Sequence, residues 1–539
     1  MRVVTPSQMQ QLEQRFMREQ GVESFELMAR AADGLADAAV RLLGRANWPP
    51  QDAGVPLDLP KLTGMSAVVC CGPGANGGDG WALAWRLYDM NCEVLALTHG
   101  TPTPGSAAHR NYLECAASWR SIRIIDLAGA QLGDPEDGQA LIEYLTGLCG
   151  TAMLRAQLCV DALFGTELSR PLSGVYLGMS RLMALIAESG ARVLAVDIPS
   201  GLDGATGADT GACPADMTVT FQHLKRGQLF GSGQDVCGEL ICHDIGIPDA
   251  YAPADAPEYL RPADVRMPRR RHDSHKGTYG HLLTVAGSHD YAGAALLCVT
   301  SALRAGAGLV TAGCVAELRP LLQLSAPSAM ALKLCDADVF DNSAVERARD
   351  ALPGKTALAI GPGMTRRAAP ELLALLLSSG LPAVVDADAL NLIALNPDLR
   401  ALLGPRHVLT PHPGEMARLL GRAVADPAAD ARALAAECGC VVLLKGCATC
   451  ISDGTRDYMM NPGVPGMACG GSGDVLTGVI GALLAQGIEP LRAAAWGALL
   501  HGRAGARAQS RLGEVSMNAS DIVTELPGAF MESMAAARR

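Results

Sequence analysis

The segment VVCCGPGANGGDG, from Val68 to Gly80, decides the fold of the first part of the chain. It passes from a short apolar run through a glycine-rich turn into a helical pattern, as a strand, a tight turn and a helix would. Further apolar runs, EVLAL, LCVDALFG, RVLAVDIPSG and MTVTF, alternate with amphipathic segments. Because apolar strands separated by helices are typical of a parallel sheet buried on both faces, this part is predicted to be a doubly wound α/β domain.

The segments before and after this core predict two opening helices and a second α/β domain. Between Ser7 and about Arg45, apolar residues recur at helical spacing and are interrupted near Gly21, which predicts two opening helices. A stretch rich in Pro, Ala and charge places a domain boundary at residues 250 to 262. Beyond it, HLLTVAGS, GLVTAG, ALAIGPG, AVVDAD, HVLTP and CVVLLKG form a second alternating series. A chain of 539 residues exceeds one ordinary core, so we expect two α/β domains, residues 1–250 and 262–539.

Composition narrows the class of protein. The net charge of -11 argues against a broad nucleic-acid surface, and the basic run RMPRRRH is interpreted as a solvated linker segment. The N-terminus turns polar too early for a signal peptide, and no long uninterrupted apolar run is present. The 17 cysteines lie mostly in apolar segments, as buried thiols in a reducing compartment would. We therefore expect a cytoplasmic protein that binds neither nucleic acid nor membranes.

Polar residues follow the apolar runs of the first half, where open α/β sheets bind their ligands. The glycine-rich turn would direct free backbone N–H groups at an anion. Asp161, Asp197, Ser200 and Lys225 follow later strands. Such glycines and aspartates can also do no more than shape turns and cap helices, but several together favour a ligand that carries phosphate. Asn76, Asp161 and Ser200 supply oxygen ligands for a hard monovalent or divalent cation, and spacing alone leaves its identity open.

The motifs GPGANGGDG, VDALFGTELSRP and VDIPSGLDG together resemble the Rossmann-like N-terminal domain of YjeF-type NAD(P)H-hydrate epimerases. The resemblance implies that Asn76, Asp161 and Ser200 hold potassium, and Asp161 is the candidate for acid–base work. Two positions depart from the family pattern: Ala75 replaces the usual Asn, and Glu167 replaces the usual Gly, which bears on substrate affinity. The implied substrate contacts are Ala75, Asn76, Gly77, Gly78, Asp79, Gly165, Thr166, Glu167, Leu168, Ser169, Arg170, Pro171 and Asp197.

The segment ACGGSGDVLTGVIGALLAQG, residues 468 to 487, carries the chemistry of the second half. Its apolar residues recur at helical spacing, so a helix is predicted to begin near Asp474 and to end before Gly487. The N–H groups of Gly471 to Asp474 would then face a phosphoryl group at the positive end of the helix. Asp474 could be only an N-cap, but GPG, PHPGE and KGCAT in the same domain favour a catalytic base. No Walker A loop is present, which excludes P-loop chemistry.

The set HKGTYG, TPHPGE, KGCAT and GGSGDVL resembles the ribokinase-like superfamily and, within it, the NAD(P)H-hydrate dehydratases. The resemblance implies ADP as phosphoryl donor, with Mg²⁺ accompanying the nucleotide. By itself His412 could equally be a turn histidine, and its place in the motif favours a ligand contact. The implied contacts with the hydrated nucleotide are Ala294, Gly363, His412 and Asp474. Those with ADP are Lys445, Gly446, Cys447, Ala448, Thr449 and Gly473, of which Lys445 and Thr449 are expected in a short hairpin.

Together the halves resemble the fused bifunctional NAD(P)H-hydrate repair enzymes. NADHX and NADPHX are cofactors hydrated at the C5=C6 bond of the nicotinamide ring. The resemblance implies that the first domain interconverts their R and S epimers. The second would dehydrate the S epimer with ADP, giving AMP and phosphate, with Asp474 accepting the C6 hydroxyl proton. It also implies a homo-oligomer.

Two alternatives remain open from the sequence. A ribokinase-like kinase for a hydroxymethylpyrimidine or a sugar would use the same base, but it has no reason to carry the first domain. A non-catalytic nucleotide-binding module would lack the acids at the strand ends, whereas Asp161 and Asp197 are present.

Overall fold

The computed structural model describes residues 1–44, 62–117, 122–151, 155–168 and 170–538. They divide into two compact units, Met1–Ala256 and Pro257–Arg539. Within the described ranges, no helix is both long enough and apolar enough to cross a bilayer.

The first unit alternates strands and helices in chain order. Its elements are β1 Val3–Val4, α1 Pro6–Gln20, α2 Ser24–Leu42, β2 Ser66–Cys71, α3 Ala75–Asp89, β3 Glu93–Thr98, α4 Ala107–Ala117, β4 Ile122–Asp126, α5 Gly138–Cys149, β5 Leu158–Ala162, α6 Val175–Glu188, β6 Arg192–Val196, β7 Met217–Phe221, β8 Leu224–Lys225, α7 Gly233–Val236 and β9 Glu239–His243. The two opening helices are confirmed, with a break at the left-handed residue Gly21 (φ 67°).

A seven-stranded sheet of order β4-β3-β2-β5-β6-β7-β9 forms the centre of this unit, and all its strand pairs are parallel. Alternate residues of β2 enter two different cores. Val69 and Cys71 pack with helices α1 to α4, whereas Val68 and Cys70 pack with α5 and α6. The sheet is therefore buried on both faces, as the continuous apolar runs predicted.

The second unit repeats the architecture with different elements. They are β10 Glu258–Tyr259, β11 His281–Val285, α8 Ala292–Arg304, β12 Leu309–Val315, α9 Leu318–Ser325, β13 Met330–Cys335, α10 Ser343–Ala351, β14 Ala357–Ile360, α11 Pro370–Leu377, β15 Ala383–Val385, α12 Ala387–Leu395, α13 Pro397–Arg400, β16 His407–Leu409, α14 Pro413–Leu420, α15 Pro427–Cys438, β17 Val441–Leu444, β18 Thr449–Ser452, β19 Asp457–Met460, α16 Ser472–Ala485, α17 Pro490–Leu512 and α18 Ala519–Ala536. The sheet order is β10-β19-β18-β17-β16-β15-β14-β11-β12-β13.

The predicted hairpin at Lys445 and Thr449 is confirmed, because β17 and β18 pair antiparallel on either side of it. Among the strands that the apolar-run interpretation missed are β4, β9 and β13. All three lie at sheet edges, where exposed or half-exposed positions interrupt the apolar pattern, as in MALKLC from Met330 to Cys335.

Candidate active sites

The first site lies where the strand order of the first unit reverses. From β2, the chain adds β3 and β4 on one side of the sheet and then adds β5, β6 and β7 on the other side of β2. The loops after β2 and β5 therefore diverge and leave a crevice. A cavity of about 560 Å³ occupies this position. The predicted residues that line it are Ala75, Asn76, Asp79, Gly165, Thr166, Glu167, Leu168, Arg170 and Asp197.

The glycine-rich loop contributes backbone N–H groups to the cavity and allows α3 to pack closely. No described side chain caps α3 at Gly74, so the first N–H groups of the helix are available to an anion. Gly77 and Gly78 serve close packing instead. A Cβ on Gly77 would lie 1.9 Å from the carbonyl oxygen of Gly72, and one on Gly78 would lie 2.9 Å from the Cβ of Ala108. Of the remaining predicted contacts, Pro171 is absent from the cavity wall, and Ser169 lies outside the described residues.

Asp161 lies behind the cavity rather than on its wall. Its Oδ1 accepts a hydrogen bond of 2.5 Å from the Ser200 hydroxyl, and its Oδ2 accepts one of 2.7 Å from the Ser200 N–H. Burial raises the pKa of Asp161, and the Ser200 hydrogen bonds oppose that rise. Along β5, Asp161 alternates with Val160 and shares the face of Cys159, which packs with α5 and α6. Strand alternation thus turns Asp161 away from α1 and α3, and its role in proton transfer stays a prediction.

Asn76, Asp161 and Ser200 nevertheless surround one loop. Ser200 Oγ accepts a hydrogen bond of 2.9 Å from the N–H of Phe164. A Cβ on Gly165 would lie 3.2 Å from the Oδ1 atom of Asn76, whose Nδ2 is buried without a described partner. A carboxylate, a hydroxyl and an amide oxygen are the ligands that hard cations take. The three residues fit a cation site next to the cavity.

An ion pair forms the inner end of the cavity. Lys225 Nζ donates a hydrogen bond of 2.5 Å to Asp197 Oδ1, and it also donates to Thr220 Oγ1 at 2.9 Å and to the Phe221 carbonyl at 3.2 Å. Asp197 adopts a left-handed backbone conformation (φ 63°), which is uncommon outside glycine and marks functional sites. Asp197 therefore faces the cavity while a buried ammonium balances its charge.

Two further carboxyl groups face this ion pair. Burial raises the pKa of Asp79 well above its ordinary value, and the nearby Asp197 and Glu13 carboxylates add to the rise. Burial also raises the pKa of Glu13 to about 7, with an opposing effect from Lys225. Sequence reasoning missed Glu13. The available signal was its place among Met9, Leu12 and Phe16, all buried on one face of α1.

The second site is built at the start of α16. Gly471 is left-handed (φ 91°) and is the N-cap, so the helix begins at Ser472, two residues before the predicted start. Asp474 is therefore the third helical residue and not the N-cap, and no described side chain caps this end. Burial raises the pKa of Asp474 to about 7, Asp386 raises it further, and Lys445 lowers it in part. The helix end can bind an anion beside a carboxyl group that titrates near neutrality.

A second ion pair lies next to Asp474. Lys445 Nζ donates a hydrogen bond of 2.8 Å to Asp386 Oδ1, and Thr477 Oγ1 donates one of 2.6 Å to Asp386 Oδ2. Gly473 lies next to this ion pair, since a Cβ there would lie 3.3 Å from Lys445 Nζ. Sequence reasoning missed Asp386, although AVVDAD ends a strand at the same edge of the sheet.

His412 caps α14 in the same neighbourhood. Its Nδ1 accepts a hydrogen bond of 3.0 Å from the N–H of Gly414, and Glu415 Oε2 accepts one of 2.9 Å from the N–H of His412. Burial lowers the pKa of His412, and Lys445 lowers it further. Burial raises the pKa of Glu415 to about 7. The turn-histidine interpretation thus describes the local role of His412, while Lys445, Arg418 and Asp386 are its electrostatic neighbours.

The remaining predicted residues fall in two places. Gly363 is left-handed (φ 63°), and a Cβ there would lie 3.0 Å from the Cβ of Ala294, so these two residues adjoin. A Cβ on Gly471 would lie 2.5 Å from the Cδ1 atom of Leu297, which is one turn beyond Ala294. Helix α8 therefore packs closely against the start of α16. The other predicted residues are Gly446, exposed Cys447 and buried Ala448, which lie between β17 and β18, and buried Thr449, the first residue of β18.

Comparison with known proteins assigns both halves. The family model described as YjeF-related protein N-terminus matches residues 24–227, and the one described as NAD(P)H-hydrate dehydratase matches residues 282–528. A bifunctional NAD(P)H-hydrate repair enzyme from Moorella thermoacetica is 38% identical over 484 residues, which cover 87% of this chain and 88% of that protein. Another, from Thermofilum pendens, is 35% identical over 542 residues, covering 98% and 96%.

Among solved structures, an ADP/ATP-dependent NAD(P)H-hydrate dehydratase from Bacillus subtilis, co-crystallised with ATP and Mg²⁺, aligns at 29% identity and a TM-score of 0.43. It covers 50% of this chain and 94% of that chain. The identity and coverage of the two full-length relatives, together with a match for each half, confirm the family indicated by the motifs. The chain belongs to the family of bifunctional NAD(P)H-hydrate repair enzymes.

Proposed function

We propose that the second unit dehydrates the S epimers of NADHX and NADPHX with ADP, releasing AMP and phosphate, and that the first unit interconverts the R and S epimers. The observation that carries the proposal is Asp474. It is a carboxyl group that titrates near neutrality, three residues into a helix whose N-terminus is free to hold a phosphoryl group.

In the dehydratase site, ionised Asp474 accepts the proton of the C6 hydroxyl as that oxygen attacks the phosphoryl group of ADP. A base with a pKa near the working pH suits this step. The N–H groups at the start of α16 stabilise the transferring phosphoryl group, and Lys445 binds the phosphates of ADP, which enters as its Mg²⁺ complex. Phosphate then leaves with the help of the ring nitrogen lone pair, and loss of a C5 proton restores the double bond.

In the epimerase cavity, the free N–H groups of α3 bind the phosphates of the hydrated dinucleotide. Asn76, Asp161 and Ser200 would hold a potassium ion, which would supply positive charge to the site. We assign the proton transfers to carboxylates on the cavity wall, with Asp197 first, in place of Asp161. The support is geometric: Asp197 lines the cavity with Lys225 fixed behind it, whereas the Ser200 hydrogen bonds hold Asp161 away from the wall.

Incubation of the full chain with mixed NADHX epimers tests both halves at once. With ADP, NADH absorbance should rise until both epimers are consumed, because the first unit keeps supplying the S form. Without a working first unit, consumption should stop once the S epimer is exhausted, apart from slow spontaneous epimerisation. The proposal fails if neither ADP nor ATP supports NADH formation, and phosphorylation of a hydroxymethylpyrimidine or a sugar would then establish the kinase alternative.

A further inference from the structure

Helix α1 presents a carboxyl group, Glu13, to the epimerase cavity. The buried face of this helix is formed by Met9, Leu12 and Phe16. Glu13 falls four residues after Met9 and three before Phe16, so it lies on that same face. There it lines the cavity together with Asp197. Glu13 is an acidic residue next to the apolar residues of this helix face, and packing against the core does not explain its carboxyl group.

Backbone pairing fixes α1 relative to the ion pair. Strand β1 pairs in parallel with β8, which places Val4 opposite Lys225. The helix starts at once after β1, because Thr5 is its N-cap: Thr5 Oγ1 accepts a hydrogen bond of 3.2 Å from the Gln8 N–H, and Gln8 Oε1 accepts one of 2.8 Å from the Thr5 N–H. The start of α1 is thus ordered next to Lys225.

Lys225 is the cation whose charge opposes the rise in the pKa of Glu13. Lys225 is already hydrogen-bonded to Asp197. Burial raises the pKa of Glu13 to about 7, so it exchanges protons readily near neutral pH. The charged and titratable groups that face it from other elements are Asp79, Glu167, Arg170, Asp197 and Lys225.

The chemistry of epimerisation calls for two proton-transfer groups. The C6 carbon of NADHX carries a hydroxyl and is bonded to the ring nitrogen, so its configuration inverts if the hydroxyl leaves as water and water returns from the other face. Departure needs an acid, and return needs a base. Since the reaction runs in both directions, the two groups exchange roles.

We propose that Glu13 is a catalytic residue of the epimerase, acting together with Asp197 on the wall of the same cavity. This rests on the proposed epimerase function. Glu13 protonates the C6 hydroxyl, and the C6–O bond breaks as the nitrogen lone pair forms a C6=N1 bond and water departs. A water molecule then attacks the opposite face of C6, the C6=N1 electrons return to the nitrogen, and Asp197 takes the proton. Atoms balance, with one oxygen exchanged for a solvent oxygen.

The Glu13→Gln variant of the full chain tests the residue. Starting from purified R epimer, we expect kcat/KM for epimerisation to fall by roughly 10²-fold or more, the usual contribution of a general acid or base. Glu19→Gln is the matched control, because Glu19 is an exposed residue of the same helix that pairs with Arg15 at 2.9 Å. It should epimerise at the wild-type rate. Dehydration of purified S epimer with ADP should persist in both variants.

Two measurements on the wild-type chain separate catalysis from a structural role. The kcat/KM for epimerisation should fall as the pH rises through about 7, where Glu13 loses its proton, and the residual activity of Glu13→Gln should lack this limb. In ¹⁸O-labelled water, each epimerisation should bring one labelled oxygen to C6. If Glu13→Gln fails to fold, the ¹⁸O measurement on the wild-type chain still tests the water-exchange step, which retention of the C6 oxygen would overturn.

The outcomes distinguish the two proposals. If the wild-type chain does not accelerate epimerisation, the proposed epimerase function fails. If it does so while Glu13→Gln is equally fast, or while the C6 oxygen is retained, the inference about Glu13 and water exchange is overturned and the epimerase function stands.

Discussion

The two sites use the same pair of residue types in opposite orientations. Each has a Lys–Asp ion pair beside a carboxyl group with a raised pKa, at the strand ends of a largely parallel sheet. In the first unit, the Lys225 side chain is 1% exposed and that of Asp197 is 14% exposed. In the second, Lys445 is 22% exposed and Asp386 is 2% exposed. The carboxylate is the more exposed partner in the first site, and the ammonium is the more exposed partner in the second.

Hydrogen bonding explains why the two lysines differ. The ammonium of Lys225 donates to Asp197, Thr220 and Phe221, which uses all three of its N–H groups. Within the described residues, Lys445 donates one side-chain hydrogen bond, to Asp386. Lys225 therefore fixes a base, whereas Lys445 retains donors for phosphate oxygens. Burial, rather than residue identity, therefore separates a lysine that positions a carboxylate from a lysine that keeps donors available.

The largest expected effect comes from Asp474→Asn, which separates the two sites. Dehydration of the S epimer should fall by roughly 10²- to 10⁴-fold, because the general base is lost, while epimerisation stays at the wild-type rate. NADH formation with ADP and chromatographic separation of the epimers measure the two activities. Asp350→Asn, at an exposed position of α10, should change neither. Parallel loss of both activities in Asp474→Asn would show that the sites are coupled.

Replacing each lysine by methionine tests the contrast directly. Lys225→Met leaves Asp197 unpaired next to a buried apolar side chain, so we expect the free energy of unfolding to fall by about 3 to 5 kcal/mol. Lys445→Met should cost less stability and should raise KM for ADP by roughly tenfold or more, as loss of a hydrogen bond to a charged group does. Urea unfolding followed by circular dichroism and steady-state kinetics give the two values. The reverse order of stabilities would contradict the assigned roles.

The pH dependence of dehydration sharpens the comparison further. Asp474 has to be ionised to accept a proton, and its pKa is raised to about 7. The kcat/KM for dehydration should therefore rise as the pH increases through about 7, opposite in sign to the limb expected for epimerisation. Parallel profiles for the two activities, measured on the same preparation, would argue against Asp474 as the base.

The smallest effect is expected at Glu167, which stands on the wall of the first cavity and accepts a hydrogen bond of 3.4 Å from Gln10. Glu167→Gln removes a negative charge beside a phosphate-bearing ligand. Since exposed charges contribute about 0 to 1 kcal/mol, KM for epimerisation should fall by at most about fivefold, with kcat unchanged. A rise in KM would mean that the carboxylate contacts the substrate favourably.

Sequence reasoning worked best where the signal was local. From the glycine-rich strand–turn–helix segments, Asp79 and Asp474 could be predicted to lie near helix starts. Glycine is the signal, because the left-handed and close-packed positions at these turns require it. The start of α16 was predicted two residues late, since Gly471 and not Asp474 is the cap. Edge strands such as β13 were missed because one of their faces is not covered.

The sequence by itself determined two α/β units, the family and the loops that carry the chemistry, since each depends on residues close together in the chain. Tertiary structure decided which carboxyl groups meet. Strand alternation turns Asp161 away from the cavity, and the pairing of β1 with β8 ties Glu13 to Lys225. Folding likewise brings Asp386 between Lys445 and Thr477. These partners come from distant segments, and their burial, which sets pKa and exposure, exists only once the sheets have formed.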